Sequence, residues 1–227
     1  IMVDCGVIQN LKVVLRSKSI DIQREASRAL ANISAEFSYA PAIVATGALM
    51  SLTTTLSSPD FLCQRYAVMG IGNLASNQVN QKKIMQEGAL PPLLSLARFE
   101  NGDLESQRYA CFALTNLSCT KANHAVMVDT GTIPLVCTLI DHQDIEIRHT
   151  CAFTIANFAA NPINHQLILT EGCLPKPIAL LSVDDKPAQL RAVSSLRGLP
   201  TSVALIMALL SSNSLPPLPL LATRVRF

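Results

Sequence analysis

Residues 64–75 read QRYAVMGIGNLA, and residues 107–118 read QRYACFALTNLS. The phrases lie 43 positions apart and share an Asn two residues before their ends, Asn73 and Asn116. Working outward, the frame returns as QREASRALANIS around Asn32 and as RHTCAFTIANFA around Asn157. A worn copy, QLRAVSSLRGL, has Gly198 in the place of the Asn. Fifteen residues after each of these positions stands a second marker: Gly47, Gly88, Gly131, Gly172 and, last, Asn213, with Gly6 ahead of the first full copy. From Gly6 to Asn213 the markers are 41, 41, 43, 41 and 41 residues apart, so one two-residue insertion, placed most simply in ENGD at 100–103, explains the irregularity. A fixed period of this length running through the chain marks a repeat array. It divides into a partial repeat (1–16), four full repeats (17–57, 58–98, 99–141, 142–182) and a degenerate, incomplete one (183–227).

Each period resolves into helices. In IQREASRALANIS, the apolar positions Ile22, Ala26, Ala29, Leu30 and Ile33 fall three and four apart, a stripe along one side of an α-helix. NQKKIMQE ends at Gly88, and LPPLLSLA begins with prolines that a helix accepts only in its first turn. Gly at the exit supplies a left-handed backbone position. The expectation is an all-α fold with three helices per repeat of about 41 residues. The last copy should be the weakest, because it lacks the Asn and carries Pro219 where Leu94 stands in an intact second helix.

Composition excludes several classes of protein. Hydrophobic residues make up 49% and charged residues 15%, which describes a folded chain and not a disordered one. A net charge of +2 with scattered Lys and Arg argues against a nucleic-acid partner. The seven cysteines form no C-x-x-C pair and no zinc spacing, and an odd number cannot all pair within the chain, so reduced thiols are expected. The apolar tract 203–222 is cut by SSNS and adjacent prolines, which argues against a membrane span; membrane association would have to come from missing regions or from a partner. No nucleophile with its base, metal cluster or phosphate-cradling Gly loop is present, so neither catalysis nor a cofactor nor a small-molecule substrate is expected. Cys151, at the packing position of Ala26, reads as a structural thiol, and His124 and His165, at matching repeat positions, as repeat features and not metal ligands.

The pattern resembles the armadillo repeat, the module of β-catenin, importin-α and the armadillo-only organelle-tethering proteins. The resemblance covers essentially the whole chain. It implies short first and second helices and a long third helix bearing the Asn, stacked into a right-handed superhelix, an α-solenoid. It also implies that the outward face of the third helices lines a concave groove for a partner protein. Carried over by position, Asn32, Asn73, Asn116 and Asn157 would form a ladder along that groove. A location in the cytoplasm, in the nucleus or on the cytoplasmic face of an organelle fits such a protein. The chain starts inside a first helix and stops after a second one, so a longer natural protein is expected.

On a helical wheel, positions four, seven and eleven residues before the Asn lie within about 40° of it, and positions two and six before it lie on the far side. Four before it stand Arg28, Met69, Phe112 and Phe153; seven before, Glu25, Tyr66, Tyr109 and Thr150; eight before, Arg24, Arg65, Arg108 and His149. An Asn side chain offers one acceptor and two donors and so can bracket a peptide group. With helices about 8–10 Å apart and an extended chain advancing about 3.3 Å per residue, four rungs would hold roughly eight to twelve residues. Importin-α typically has Trp four before the Asn, and this chain has no Trp. The aromatic centre, flanked by Arg with Glu105 and Glu146 as the nearest acids, suits an acidic or amphipathic segment. The alternative readings are that the Asn residues bond between repeats, that the Arg column forms interhelical ion pairs, and that Met69 and the Phe residues are ordinary core. The alternative functions are an importin-α-like nuclear transport adaptor, or the interaction domain of a larger regulatory protein such as a ubiquitin ligase.

Overall fold

The structure, a computed structural model, describes residues 6–98 and 102–173. The last copy, with Gly198, Asn213 and Pro219, and the apolar tract at 203–222 lie outside the described residues. In chain order the α-helices are α1 (Val7–Val14), α2 (Ile20–Ser34), α3 (Ala40–Ala45), α4 (Ala48–Thr55), α5 (Phe61–Ala75) and α6 (Gln78–Gln86). They continue with α7 (Leu90–Arg98), α8 (Leu104–Ser118), α9 (His124–Asp129), α10 (Thr132–Leu139), α11 (Ile145–Ala159) and α12 (His165–Thr170). No strand occurs among the described residues, and no helix there is long and apolar enough to cross a membrane.

The third helices are α2, α5, α8 and α11, each 15 residues long, against six to nine for the others. Gly6, Gly47, Gly88, Gly131 and Gly172 all carry a positive φ, between 65° and 81°, at the start of a second helix or its expected place. In that region a Cβ crowds its own carbonyl, at about 1–2 kcal/mol per residue. The chain's regular marker is therefore a backbone requirement. Three of the four first helices are preceded by a single 3₁₀ turn, at Phe37–Tyr39, Lys121–Asn123 and Pro162–Asn164, which the helical periodicity did not announce.

Residues 100 and 101 of ENGD, where the sequence places the insertion, lie outside the described residues. Within them α7 runs to Arg98, ten residues past its Gly marker, whereas α4 runs to Thr55, eight past its own. Ala97 is fully buried and its carbonyl accepts from Gln107 Nε2 at 2.8 Å, so both packing and a cap favour the additional half turn.

The chain divides after Thr132 into two compact units. In the first, α2 packs on α5 and α5 on α8, with α4 against α5 and α7 against α8. Two residues before each Asn, Leu30, Ile71 and Leu114 are fully buried; six before, Ala26, Ala67 and Ala110 are small and buried, which lets the helices approach. Burying a Leu or Ile side chain stabilises by roughly 1.5–3 kcal/mol, so this periodic stripe contributes directly to the unit's cohesion. The second unit repeats the rule, with Ile155 and Cys151 fully buried on α11.

One expectation is corrected in that unit. Cys137 on α10 and Cys173 after α12 are joined as a disulfide, with Cα atoms 5.0 Å apart, where reduced thiols were expected throughout. The residues are 36 apart and bear no motif spacing, so only the stacking of repeats brings them together. Cys63, Cys111, Cys119 and Cys151 are not joined in disulfides, and of these Cys119 alone is exposed.

Candidate functional site

The exposed face of α2, α5 and α8 is fixed first at its N-terminal edge. Asp60 caps α5, accepting from Cys63 N at 3.0 Å, and Asp103 caps α8, accepting from Ser106 N at 3.0 Å and Ser106 Oγ at 2.8 Å. The same carboxylates take the arginines of the preceding repeat. Arg24 Nε donates to both oxygens of Asp60, at 3.1 and 3.2 Å, and Nη2 donates to Oδ2 at 2.7 Å. Arg65 Nε donates to Asp103 Oδ2 at 2.7 Å while its Nη2 donates to Oδ1. Arg108 pairs with Glu105 within its own helix.

The Arg column therefore does meet acids, but in Arg24 and Arg65 these are the capping aspartates of the next third helix. Glu105 and Glu146 are not the nearest acids to them. A guanidinium reaching along the stack sees the N-cap before it sees a carboxylate one turn up the neighbouring helix. The hydrogen bonds from Arg24 hold the Asp60 carboxyl far below the ordinary carboxylate range, against the opposing effect of burial. For Asp103, burial is the largest influence and pushes upward, yet the bonds from Arg65 and Ser106 together outweigh it and hold the carboxyl below its ordinary value. Arg24 and Arg65 are raised in turn by the bonds to their aspartates. Both arginines thus reach the surface with much of their charge already neutralised.

The Asn ladder also has an inward bond. Asn73 Nδ2 donates to Ser34 Oγ at 3.2 Å and Ala31 O at 3.4 Å, and Asn116 Nδ2 to Gly72 O at 3.2 Å. Each amide reaches the residue just before the Asn of the preceding repeat, or a neighbour of it. These Nδ2 donors are used between repeats, and both amides are half-buried. The bonding between repeats and the ladder are thus two aspects of the same side chain.

The columns beside the ladder are surface and not core. Phe112 is 40% exposed, Met69, Tyr66 and Tyr109 are half-buried, and Asn32 and Arg28 are exposed. Phe112 lies over Gly72, its Cδ1 only 3.1 Å from where a Cβ would be, so the glycine seats the ring against α5. Arg65 stands 5.8 Å from the centroid of the Phe61 ring. In the second unit α11 carries the same columns, with Phe153 37% exposed and Asn157 half-buried. His149 departs from its column: it is 5% exposed, so it offers no surface to a ligand. An imidazole is too short to carry its polar end outward along a helix as an arginine does.

Sequence reasoning missed two periodic features. One is the set of capping aspartates, whose signal was the Asp thirteen residues before Asn73, Asn116 and Asn157. The other is a bracket at the start of the first helices. Asn80, Asn123 and Asn164 donate Nδ2 to the carbonyls of Leu74, Leu117 and Phe158 at 3.1, 2.9 and 3.0 Å. The following residues, Gln81, His124 and His165, donate to Ala75, Ser118 and Ala159 at 2.9, 2.7 and 2.8 Å. These carbonyls end the third helices and lack partners within them. The role of His124 and His165 is thereby assigned to helix termination, and each donates from a protonated Nε2. Gln81 also reaches Asn116 O at 2.8 Å, tying α6 to α8.

Residues 1–35 and 77–119 match the Armadillo/beta-catenin-like repeat. Solved structures agree over most of the chain. An engineered protein of the Northeast Structural Genomics Consortium is 27% identical, with a TM-score of 0.83, covering 91% of this chain and 85% of that one. A designed armadillo repeat protein is 25% identical at a TM-score of 0.82, covering 87% of this chain and 84% of its own. Another, in complex with the peptide (KR)4, is 25% identical at a TM-score of 0.80, with 87% and 83% covered. Comparison with curated proteins yields no match. The likeness is to the repeat and the solenoid.

Proposed function

Given a chain built of armadillo repeats, we propose that it is a non-catalytic protein-interaction scaffold, holding an extended segment of a partner protein along its third-helix face. The observation that carries this reading is the alignment of half-buried Asn73 and Asn116 amides with Tyr66, Tyr109 and the exposed Phe112 on adjacent helices of one unit. Amides of that kind bracket a peptide backbone, and the aromatics between them receive apolar side chains. A designed armadillo repeat protein in complex with the peptide (KR)4 supports a peptide segment as the kind of partner. Because Asp60 and Asp103 already neutralise Arg24 and Arg65, the face suits an amphipathic segment better than a uniformly acidic one.

Fluorescence anisotropy with labelled ten-residue peptides tests this. Three probes are compared: alternating acidic and aromatic-apolar residues, all-acidic, and the basic (KR)4. The alternating peptide should bind best, and Tyr66→Ala with Phe112→Ala should weaken it by at least about tenfold, the size of a lost anchor pair. Arg65→Glu is unsuited to this purpose, since it would set a second carboxylate against Asp103. Tightest binding of (KR)4, or an affinity indifferent to both aromatic substitutions, would refute the reading.

A further inference from the structure

We infer that Cys137 and Cys173 form a redox-closable staple, a dithiol–disulfide couple acted on by small thiols and disulfides, that fastens α10 to the repeat that follows it. Cys137 lies six residues past its Gly marker and Cys173 one residue past the next, and their Cα atoms, 5.0 Å apart, are within the range a disulfide spans. The same pair of positions recurs along the array as Lys12 with Ala48, Thr53 with Ala89, and Leu94 with Thr132. These sites are ordinary packing positions: Ala48, Ala89 and Thr132 are fully buried, as is Cys173, and Cys137 is nearly so. In the first copy Lys12 Nζ likewise reaches across to Thr46 O, beside the next marker, at 2.6 Å. In the described residues cysteine fills both positions at one junction only.

The staple closes a loop of 36 residues that contains α11 and α12. Closing it removes chain entropy from the opened state of that repeat, so α11 should be held more firmly when the bond is present. The reaction balances with a small disulfide such as oxidised glutathione. One cysteine thiolate attacks the small disulfide, giving a mixed disulfide and releasing one glutathione thiolate. The second cysteine thiolate then displaces the other glutathione, leaving the Cys137–Cys173 bond and two glutathione thiols that carry the two protons. Both sulfurs are buried, so exchange proceeds through opening of the α12 end, which makes the couple slow compared with exposed Cys119.

The full chain is equilibrated with oxidised and reduced glutathione over a range of ratios, quenched in acid, alkylated while denatured and mapped by mass spectrometry. Cys137 and Cys173 should be recovered joined to one another, opening only toward the reducing end, while Cys119 exchanges freely. Hydrogen exchange is then measured on the oxidised and the dithiothreitol-reduced protein. Amides of α11 should exchange at least about tenfold faster after reduction, with α2 and α5 unchanged. The Cys137→Ala/Cys173→Ala variant, in which position 173 takes the alanine found at the equivalent positions 48 and 89, should match the reduced protein under both conditions. Failure of the two cysteines to join at any ratio overturns the inference. So does equal α11 exchange in the oxidised and reduced wild-type protein, a comparison that needs no variant to fold.

Discussion

Replacing Asp103 with Ala tests whether the repeats are fastened at the N-cap. The substitution removes an acceptor for Ser106 N and Ser106 Oγ and the two-pronged partner of Arg65. Loss of an N-cap carboxylate costs about 1 kcal/mol, within a range of about 0.5–2. The Arg65 pair adds about 0.5–1 kcal/mol, toward the upper end of what solvent-touched pairs contribute, because the Asp103 side chain is only 15% exposed while Arg65 is 31% exposed. The expected loss is therefore about 2 kcal/mol, read from urea denaturation followed by far-UV circular dichroism. Asp103→Asn keeps an oxygen for the cap and removes the charge, so it should lose about 1 kcal/mol or less. The depressed Asp103 carboxyl gives the wild type an advantage over Asp103→Asn that is complete above the unfolded aspartate value of about 3.9 and fades as pH falls through the lower folded value. A loss below about 0.5 kcal/mol for Asp103→Ala, or no coupling with Arg65→Ala in a double-mutant cycle, would refute the reasoning.

Two further substitutions separate backbone from packing. Gly88→Ala, at φ 76° with open space around it, should destabilise by about 1 kcal/mol through the left-handed backbone alone, whereas Gly72→Ala gains helix propensity and needs only a small shift of the part-exposed Phe112 ring, so its net cost should stay under about 1 kcal/mol; thermal denaturation ranks the two. Asn123→Ala leaves the Leu117 carbonyl without its buried donor and should cost about 1–3 kcal/mol, with faster hydrogen exchange confined to the end of α8 and to α9.

The sequence by itself determined the class of fold, the length of the period, the three helices per repeat and the side of each third helix that packs. These are local properties: apolar spacing of three and four residues fixes a helix face, and a left-handed turn demands Gly wherever it recurs. It also placed Asn73, Asn116, Tyr66, Tyr109 and Phe112 together, since a helical wheel needs only the residues of one helix. What the tertiary structure alone decided lies between repeats. Arg24 meets Asp60 and Arg65 meets Asp103 across 36 and 38 residues, the Asn amides donate one repeat back, and Cys137 reaches Cys173. A period tells which positions are equivalent but not how far one repeat turns and rises against the next, and that displacement chooses which side chain stands opposite which. His149 fell from the site for the same kind of reason, because its burial depends on its neighbours and on the reach of an imidazole, neither of which the period encodes.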